Sequence, residues 1–285
     1  MNFLIIILLC TLATAKVTLQ SRFGKRTLTT ASDNVLFNAA VFFTAAILFS
    51  ADIPRASLET WIFAAAFALL TVVFQLSYTK ALSVGNVSLT VMAVNLSMLF
   101  PSLVSVIFYS EVLTPTRIVG IILTVLSFTL TVDFKRTGQL SRPWFIFTAV
   151  AALANGGIGI TQKIFGASGF GSEKKAFVAC SYAIAFAVAF VLYLLTRPRD
   201  RGAVNRKTAW TYVFAVSVGI ILAVFQWLNT YAISVMDGSF LFPVYSGGSI
   251  ILSTLVGILF FKDKLSGRQK ISIALGIIAV VIMNV

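Results

Sequence analysis

Uncharged polar side chains recur at matched places in a chain that is otherwise strongly apolar. The segment 74–88 is repeated at residues 225–239, 151 positions later, and seven of the fifteen residue pairs are identical. Gln75 and Gln226 hold the same place in the two copies. Amide side chains donate and accept hydrogen bonds, so the repeated pair can bond neighbouring helices or contact a solute.

These amides have two interpretations that the sequence leaves open. A buried amide in lipid is costly unless it finds partners, so the side chains should point into a helix bundle. There they either bond neighbouring helices or line a cavity that contacts a substrate. The candidate substrate-binding residues are Lys16, Gln75, Tyr78, Asn95, Asn155, Lys163, Gln226, Asn229, Tyr245 and Ser246.

Two lysines in this set occupy equivalent positions near the ends of apolar segments. Lys163 follows Lys16 by 147 residues, which is close to the spacing of the repeat. One interpretation is snorkelling, with the stem in hydrocarbon and the ammonium at the interface. The other is a symmetric pair of cations facing a cavity, which suits a carboxylate or phosphate on the substrate.

Acidic side chains are expected only outside the apolar segments. All nine fall in loops or at segment ends, and the chain has no histidine. Glu111 and Asp263 are expected to cap helices or form interfacial ion pairs with nearby cations such as Arg117. Without paired acids, a triad or a metal-ligand cluster, an enzyme is the least supported class, and neither a cofactor nor a metal ion is predicted.

The elements that position these residues are apolar and about 20 residues long. The composition is 59% hydrophobic and 11% charged, and runs of this length cross a hydrocarbon core of about 30 Å. The sequence predicts an all-α integral membrane protein, multi-pass in the cell membrane, with ten transmembrane helices. Their expected bounds are 2–19, 34–51, 58–80, 87–109, 116–132, 143–164, 176–195, 210–234, 238–261 and 268–285.

Two competing interpretations of these features are less favoured. A net charge of +13 invites nucleic-acid binding, but the cations sit in small groups between apolar runs, so lipid and a small-molecule substrate are the expected partners. The first apolar run resembles a secretory signal, with Ala13-Thr-Ala15 as a cleavage site. Its removal would leave the first half without a counterpart to the sixth segment.

The repeat predicts the topology. Residues 1–138 and 139–285 each hold five predicted spans, and an odd number makes the second copy enter the membrane from the opposite side. Inverted repeats enclose a central cavity that can open to either side in turn, which favours transport. Ten spans suffice to enclose the cavity, so we expect a functional monomer.

Charge in the loops predicts an orientation. Loops after odd-numbered spans hold sixteen Lys and Arg residues, and those after even-numbered spans hold four. Since positive loops stay in the cytoplasm, this bias predicts that both termini lie outside.

Short motifs in both halves resemble the drug/metabolite transporter superfamily, EamA type. They are Tyr78-Thr-Lys-Ala-Leu82, Glu111-Val-Leu-Thr114 and Gly120-Ile-Ile-Leu, answered by Phe260-Phe-Lys-Asp263-Lys-Leu-Ser266-Gly-Arg-Gln269 and Gly276-Ile-Ile. The resemblance implies a ten-helix inverted-repeat carrier with a central substrate cavity and both ends in the cytosol. A flippase for a lipid-linked sugar or phosphate is the alternative, because the superfamily includes such proteins.

Each half also resembles the small multidrug resistance proteins, with one departure. Their first helix carries a membrane-embedded glutamate eight residues before a lysine, and this chain has Leu8 and Asn155 at those positions. A proton-driven exporter of cations generally needs an ionisable group in its cavity. We therefore predict no carboxylate-based proton antiport of cationic drugs.

Overall fold

The structure of the chain is a computed structural model that describes residues 2–27, 31–84, 87–97, 99–131, 141–196, 208–261 and 267–283. Regular structure in this part of the chain is entirely helical. The helices are α1 (Asn2–Thr27), α2 (Ala31–Leu48), α3 (Leu58–Val84), α4 (Val87–Leu96), α5 (Leu99–Tyr109), α6 (Pro115–Thr131), α7 (Arg142–Ala167), α8 (Lys174–Thr196), α9 (Thr208–Val235), α10 (Gly238–Phe261) and α11 (Gly267–Met283).

Each predicted span overlaps one helix except the fourth, which overlaps both α4 and α5. The Ser97 amide and hydroxyl both bond to the Val94 carbonyl, at 3.2 and 2.5 Å, and end α4. Pro101 lacks the N–H that would continue the ladder to Ser97. In contrast, α10 runs through Pro243 without interruption.

Four helical stretches in the described residues are long and apolar enough to cross a membrane. They are Leu58–Ala81, Arg142–Ala167, Lys174–Thr196 and Tyr212–Val235. Five further apolar helical stretches are shorter, at 10–17 residues. Large apolar side chains such as Leu58, Phe108 and Leu195 are more than 70% exposed on the outside of the bundle. Such a surface is suited to lipid rather than to water.

The core lies between helices that are distant in sequence. In the larger cluster, Phe42 from α2 and Phe67 from α3 pack against Phe177 and Tyr182 from α8. A second cluster joins Leu9 of α1 to residues of α9 and α10. Both clusters bring the first five predicted spans against the last five.

Small residues allow the closest of these approaches. A Cβ added at Gly219 of α9 would lie 2.7 Å from the Val41 carbonyl oxygen of α2. Between α6 and α11, Ser127 and Ser272 each donate to the other's backbone carbonyl, at 2.8 and 2.7 Å. The contacts depend on short side chains, which let helix backbones meet.

Candidate functional site

A cavity of about 150 Å³ lies inside the bundle, with α1 to α4 and α7 to α10 contributing to its wall. At roughly 10–15 Å³ per water, this volume holds about ten water molecules or one small organic solute. Eight of the ten candidate substrate-binding residues line it: Lys16, Gln75, Tyr78, Asn95, Asn155, Gln226, Asn229 and Tyr245. Whether they bind a substrate stays a prediction.

The other two candidates lie away from the cavity wall. Ser246 is buried on α10, at 2% exposure, and its hydroxyl has no hydrogen-bond partner. The Lys163 ammonium donates to Glu111 Oε1, and both side chains are only 8% exposed. The hypothesis of two symmetric lysines facing one cavity therefore does not describe this structure, because Lys163 is already paired with a carboxylate.

Glu111 caps a helix as expected, but its ion-pair partner is Lys163 and not the expected Arg117. Its two carboxylate oxygens accept the amides of Gly238 and Ser239 at the start of α10, at 3.0 and 2.9 Å. Burial raises the pKa of Glu111, and the hydrogen bonds from Lys163 and these amides outweigh it and leave the pKa lowered. Arg117, the expected neighbour, instead pairs with Asp237 at 2.8 Å. Asp263, Lys262 and Lys264 lie outside the described residues.

Lys16 is placed quite differently from Lys163. Its ammonium lies 5.9 Å from the centre of the Phe225 ring, and it forms no ion pair within the described part of the chain. No Asp, Glu or Arg is among the described residues that line the cavity. Lys16 therefore gives the described wall a single positive charge.

A hydrogen-bonded amide cluster on α7 and α9 forms one side of the cavity. Gln162 donates to Gln226 Oε1 and to Thr230 Oγ1, both at 3.0 Å, and accepts from Asn229 Nδ2 at 3.0 Å. Gln162 is 1% exposed. Sequence reasoning missed it, since the repeat pairs Gln162 with Ala15 and gives no signal.

A second amide chain connects α2 and α3. Asn34 donates to Thr79 Oγ1 at 2.7 Å, Asn38 donates to Asn34 Oδ1 at 2.9 Å, and Gln75 donates to Asn38 Oδ1 at 3.1 Å. On α7, Asn155 Nδ2 donates to the Val94 carbonyl and Ser97 hydroxyl where α4 ends. The same amides thus bond helices and line the cavity, so the two interpretations of the sequence describe one arrangement.

Hydroxyl groups on the wall also escaped sequence reasoning. Thr14, Thr71 and Tyr182 line the cavity, and each is 6% exposed or less. The hydroxyls of Thr14 and Thr71 have no hydrogen-bond partner in the described structure. Buried polar groups are normally satisfied, so these hydroxyls mark a surface suited to a bound polar molecule.

Comparison with known proteins agrees with this architecture. A solved crystal structure superposes on the chain with a TM-score of 0.77 at 15% sequence identity, covering 99% of this chain and 95% of that one. A likeness at this identity shows the fold alone. No curated protein matches the sequence. Residues 2–132 match the model of the EamA-like transporter family. By that match, residues 2–132 are similar to the EamA-like transporter family within the drug/metabolite transporter superfamily, a group of membrane transporters of small molecules.

Proposed function

We propose that the protein is a secondary carrier that moves a small organic metabolite across the cell membrane by alternating access. Residues 1–138 and 139–285 form the two five-span halves, and all ten spans cross the bilayer. The observation that carries the proposal is the cavity, whose polar wall combines residues of both halves, such as Gln75 and Gln226. A structural membrane protein has no need of such a chamber.

The helix packing supports an inverted repeat. In the repeat, α1, α2 and α3 correspond to α7, α8 and α9. The contact of α3 with α7 has its counterpart in the contact of α9 with α1, and the contact of α2 with α9 has its counterpart in that of α8 with α3. The pairs α2 with α8 and α6 with α11 each join two counterparts. A twofold axis relating the halves would exchange the first contacts and preserve the second, and with five spans in each half that axis would lie in the membrane plane.

The charge of the cavity wall supports a mechanism without an embedded carboxylate. Alternating proton and cation binding needs a group that gives up its charge, and no carboxylate lies among the described lining residues. We expect no export of quaternary ammonium dyes driven by a pH gradient in liposomes containing the purified protein.

A thermal-shift screen followed by a transport assay tests the proposal. Purified protein is screened against amino acids, nucleotides, sugars and sugar phosphates, because a ligand of the folded state raises its apparent stability. Any stabilising solute is then tested for counterflow, the uptake of labelled solute into protein-containing liposomes preloaded with the unlabelled form. Counterflow by a single chain per liposome would support a functional monomer. Binding without counterflow of any solute would contradict the carrier assignment.

The same assay separates the flippase alternative from the carrier. A lipid-linked sugar or phosphate has a tail that stays in the bilayer, so its movement appears as headgroup transfer between leaflets. Scrambling of such a lipid, with no counterflow of water-soluble compounds, would favour the flippase.

A further inference from the structure

The amides on the cavity wall are held in one orientation by hydroxyl groups. Thr230 Oγ1 donates its only hydrogen to the backbone carbonyl of Gln226 at 2.8 Å, so it can only accept from Gln162 Nε2. Gln162 therefore presents Nε2 to Thr230 and Oε1 to Asn229 Nδ2. The remaining atom of the Asn229 amide is its oxygen, which accepts no hydrogen bond within the described structure.

The same logic fixes the orientation of two other amides on the cavity wall, those of Gln75 and Asn155. Thr79 Oγ1 donates to the backbone carbonyl of Gln75 at 2.7 Å, so it accepts from the Asn34 amide nitrogen. The Asn34 oxygen then accepts from Asn38, and the Asn38 oxygen accepts from the Gln75 amide nitrogen. The Gln75 side-chain oxygen is left over. At Asn155 both amide hydrogens are used by acceptors, because the Ser97 hydroxyl donates to the Val94 carbonyl, and again the oxygen is left.

Three of the amides on the cavity wall thus keep a side-chain oxygen that has no donor from the described residues. They belong to Gln75 on α3, Asn155 on α7 and Asn229 on α9. A carbonyl oxygen only accepts, so a ligand that satisfies these groups must bring hydrogen-bond donors. An apolar solute would leave them desolvated and unpaired, which is unfavourable.

The only charged group among the described lining residues is Lys16, so the complementary ligand has one negative charge. Thr14, one half-turn before Lys16 on α1, and Thr71 on α3 add unpartnered hydroxyls that donate or accept as required. An ammonium group on the ligand would meet no carboxylate on this part of the wall.

We propose that the cavity selects a small polyhydroxylated organic monoanion, with its anionic group on Lys16 and its hydroxyls donating to the oxygens of Gln75, Asn155 and Asn229. This proposal rests on the proposed carrier function and adds a substrate class to it. Thr230 acts as a positioning residue, because it sets the amide orientation without lying on the cavity wall.

Matched probes test the proposal on the wild-type protein. The six-carbon set is gluconate, hexanoate, sorbitol, glucarate, glucosamine and 6-aminohexanoate, which vary charge and hydroxyl content separately. Glycerate, propanoate and glycerol repeat the comparison at three carbons. We expect the largest thermal stabilisation from gluconate or glycerate. Stronger stabilisation by sorbitol and glycerol, or by hexanoate and propanoate, would overturn the proposal, and so would stronger stabilisation by glucarate, glucosamine or 6-aminohexanoate than by gluconate.

Variants assign the interactions. Lys16→Met should weaken binding of the hydroxylated anion by about tenfold or more, and the exposed Lys270→Met should not. Thr230→Val should reduce the preference for gluconate over hexanoate without changing hexanoate binding, and Thr230→Ser should restore it. An unchanged preference in Thr230→Val contradicts the orienting role. If a variant does not fold, the wild-type probe comparison alone decides.

Counterflow distinguishes failure of this inference from failure of the carrier assignment. If another class of solute undergoes counterflow and the hydroxylated anions do not bind, the carrier stands and the inference falls. If no solute undergoes counterflow, both fall.

Discussion

At the scale of single residues, Glu111 joins two helices that the sequence does not connect. It pairs with Lys163 on α7 and accepts two amides at the start of α10. A helix N-terminus carries unsatisfied N–H groups and a partial positive charge, which a carboxylate stabilises. The buried lysine and the helix end therefore share one counter-charge.

Neutralising this carboxylate should destabilise the protein strongly. Glu111→Gln leaves a buried Lys163 without a charge partner, and breaking a buried ion pair costs about 3–5 kcal/mol. Thermal denaturation in detergent measures the change. The control is Asp52→Asn, which breaks a pair with an Arg55 side chain that is 78% exposed and should cost less than about 1 kcal/mol. Equal, small shifts for the two variants would contradict the buried role of Glu111.

Acid should destabilise the protein through this residue and Glu173. The Thr60 hydroxyl, followed by the Ser57 amide, lowers the pKa of Glu173, and the pKa of Glu111 is lowered as well. A carboxyl whose folded pKa is depressed stabilises the fold above its unfolded pKa, near 4.5, and loses this contribution as pH falls through the folded value.

The thermal midpoint should therefore be nearly constant above about pH 5.5 and fall between about pH 5 and pH 3. The variant Glu111→Gln should start lower and fall less over the same range. A wild-type midpoint that rises on acidification would contradict this assignment of the stabilising charges.

At the scale of elements, the break between α4 and α5 is matched by glycines on α7. A Cβ added at Gly156 would lie 2.4 Å from the Phe100 ring, and one at Gly159 would lie 2.7 Å from Pro101. The start of α5 therefore rests directly on the α7 backbone, beside the Asn155 amide. The end of α4 lies at the cavity, where Val94 and Asn95 belong to the wall.

The close approach of α2 and α9 gives the sharpest test of packing. Gly219→Ala would place a methyl group 2.7 Å from the Val41 carbonyl oxygen and 2.6 Å from Thr44 Cβ, so the helices must separate. We expect a destabilisation of about 1–3 kcal/mol, measured by thermal denaturation. The matched control is Gly169→Ala, whose added Cβ would have nothing within 4 Å. A Gly219→Ala protein as stable as this control would show that the two helices are not in contact.

At the scale of the whole molecule, the cavity is enclosed by helices of both predicted halves. In the proposed mechanism, movement of one half against the other would open the cavity on alternate sides. Contacts within both core clusters would have to shift, because each cluster joins residues of the two halves. Such motion would expose the same wall residues to both aqueous phases in turn.

Cysteine labelling tests alternating exposure. In a Cys10→Ala, Cys180→Ala background, we expect Asn95→Cys to react with a membrane-impermeant thiol reagent added to either side of the membrane. The control is Ala185→Cys, fully buried in the larger core cluster, which should react from neither side. Equal protection of both cysteines from both sides would indicate a sealed interior and contradict the carrier mechanism.

The sequence alone located most of the helices, because length and continuous hydrophobicity are local properties, but it did not predict the division of the fourth span into α4 and α5. The predicted bounds 58–80 and 238–261 match α3 and α10 closely. The repeated Gln75 and Gln226 also pointed to the cavity, since a polar side chain in an apolar helix has to face the interior.

Only the tertiary structure decided which of two similar lysines faces the cavity. Lys16 and Lys163 hold equivalent places in the sequence, yet Glu111, 52 positions before Lys163, pairs with one of them. Gln162 likewise has its hydrogen bonds to Gln226 and Asn229 only because α7 packs against α9. The hydrogen-bond and ion-pair partners of a side chain depend on which distant helices come into contact and on the rotation of each helix about its axis. A local sequence pattern determines neither.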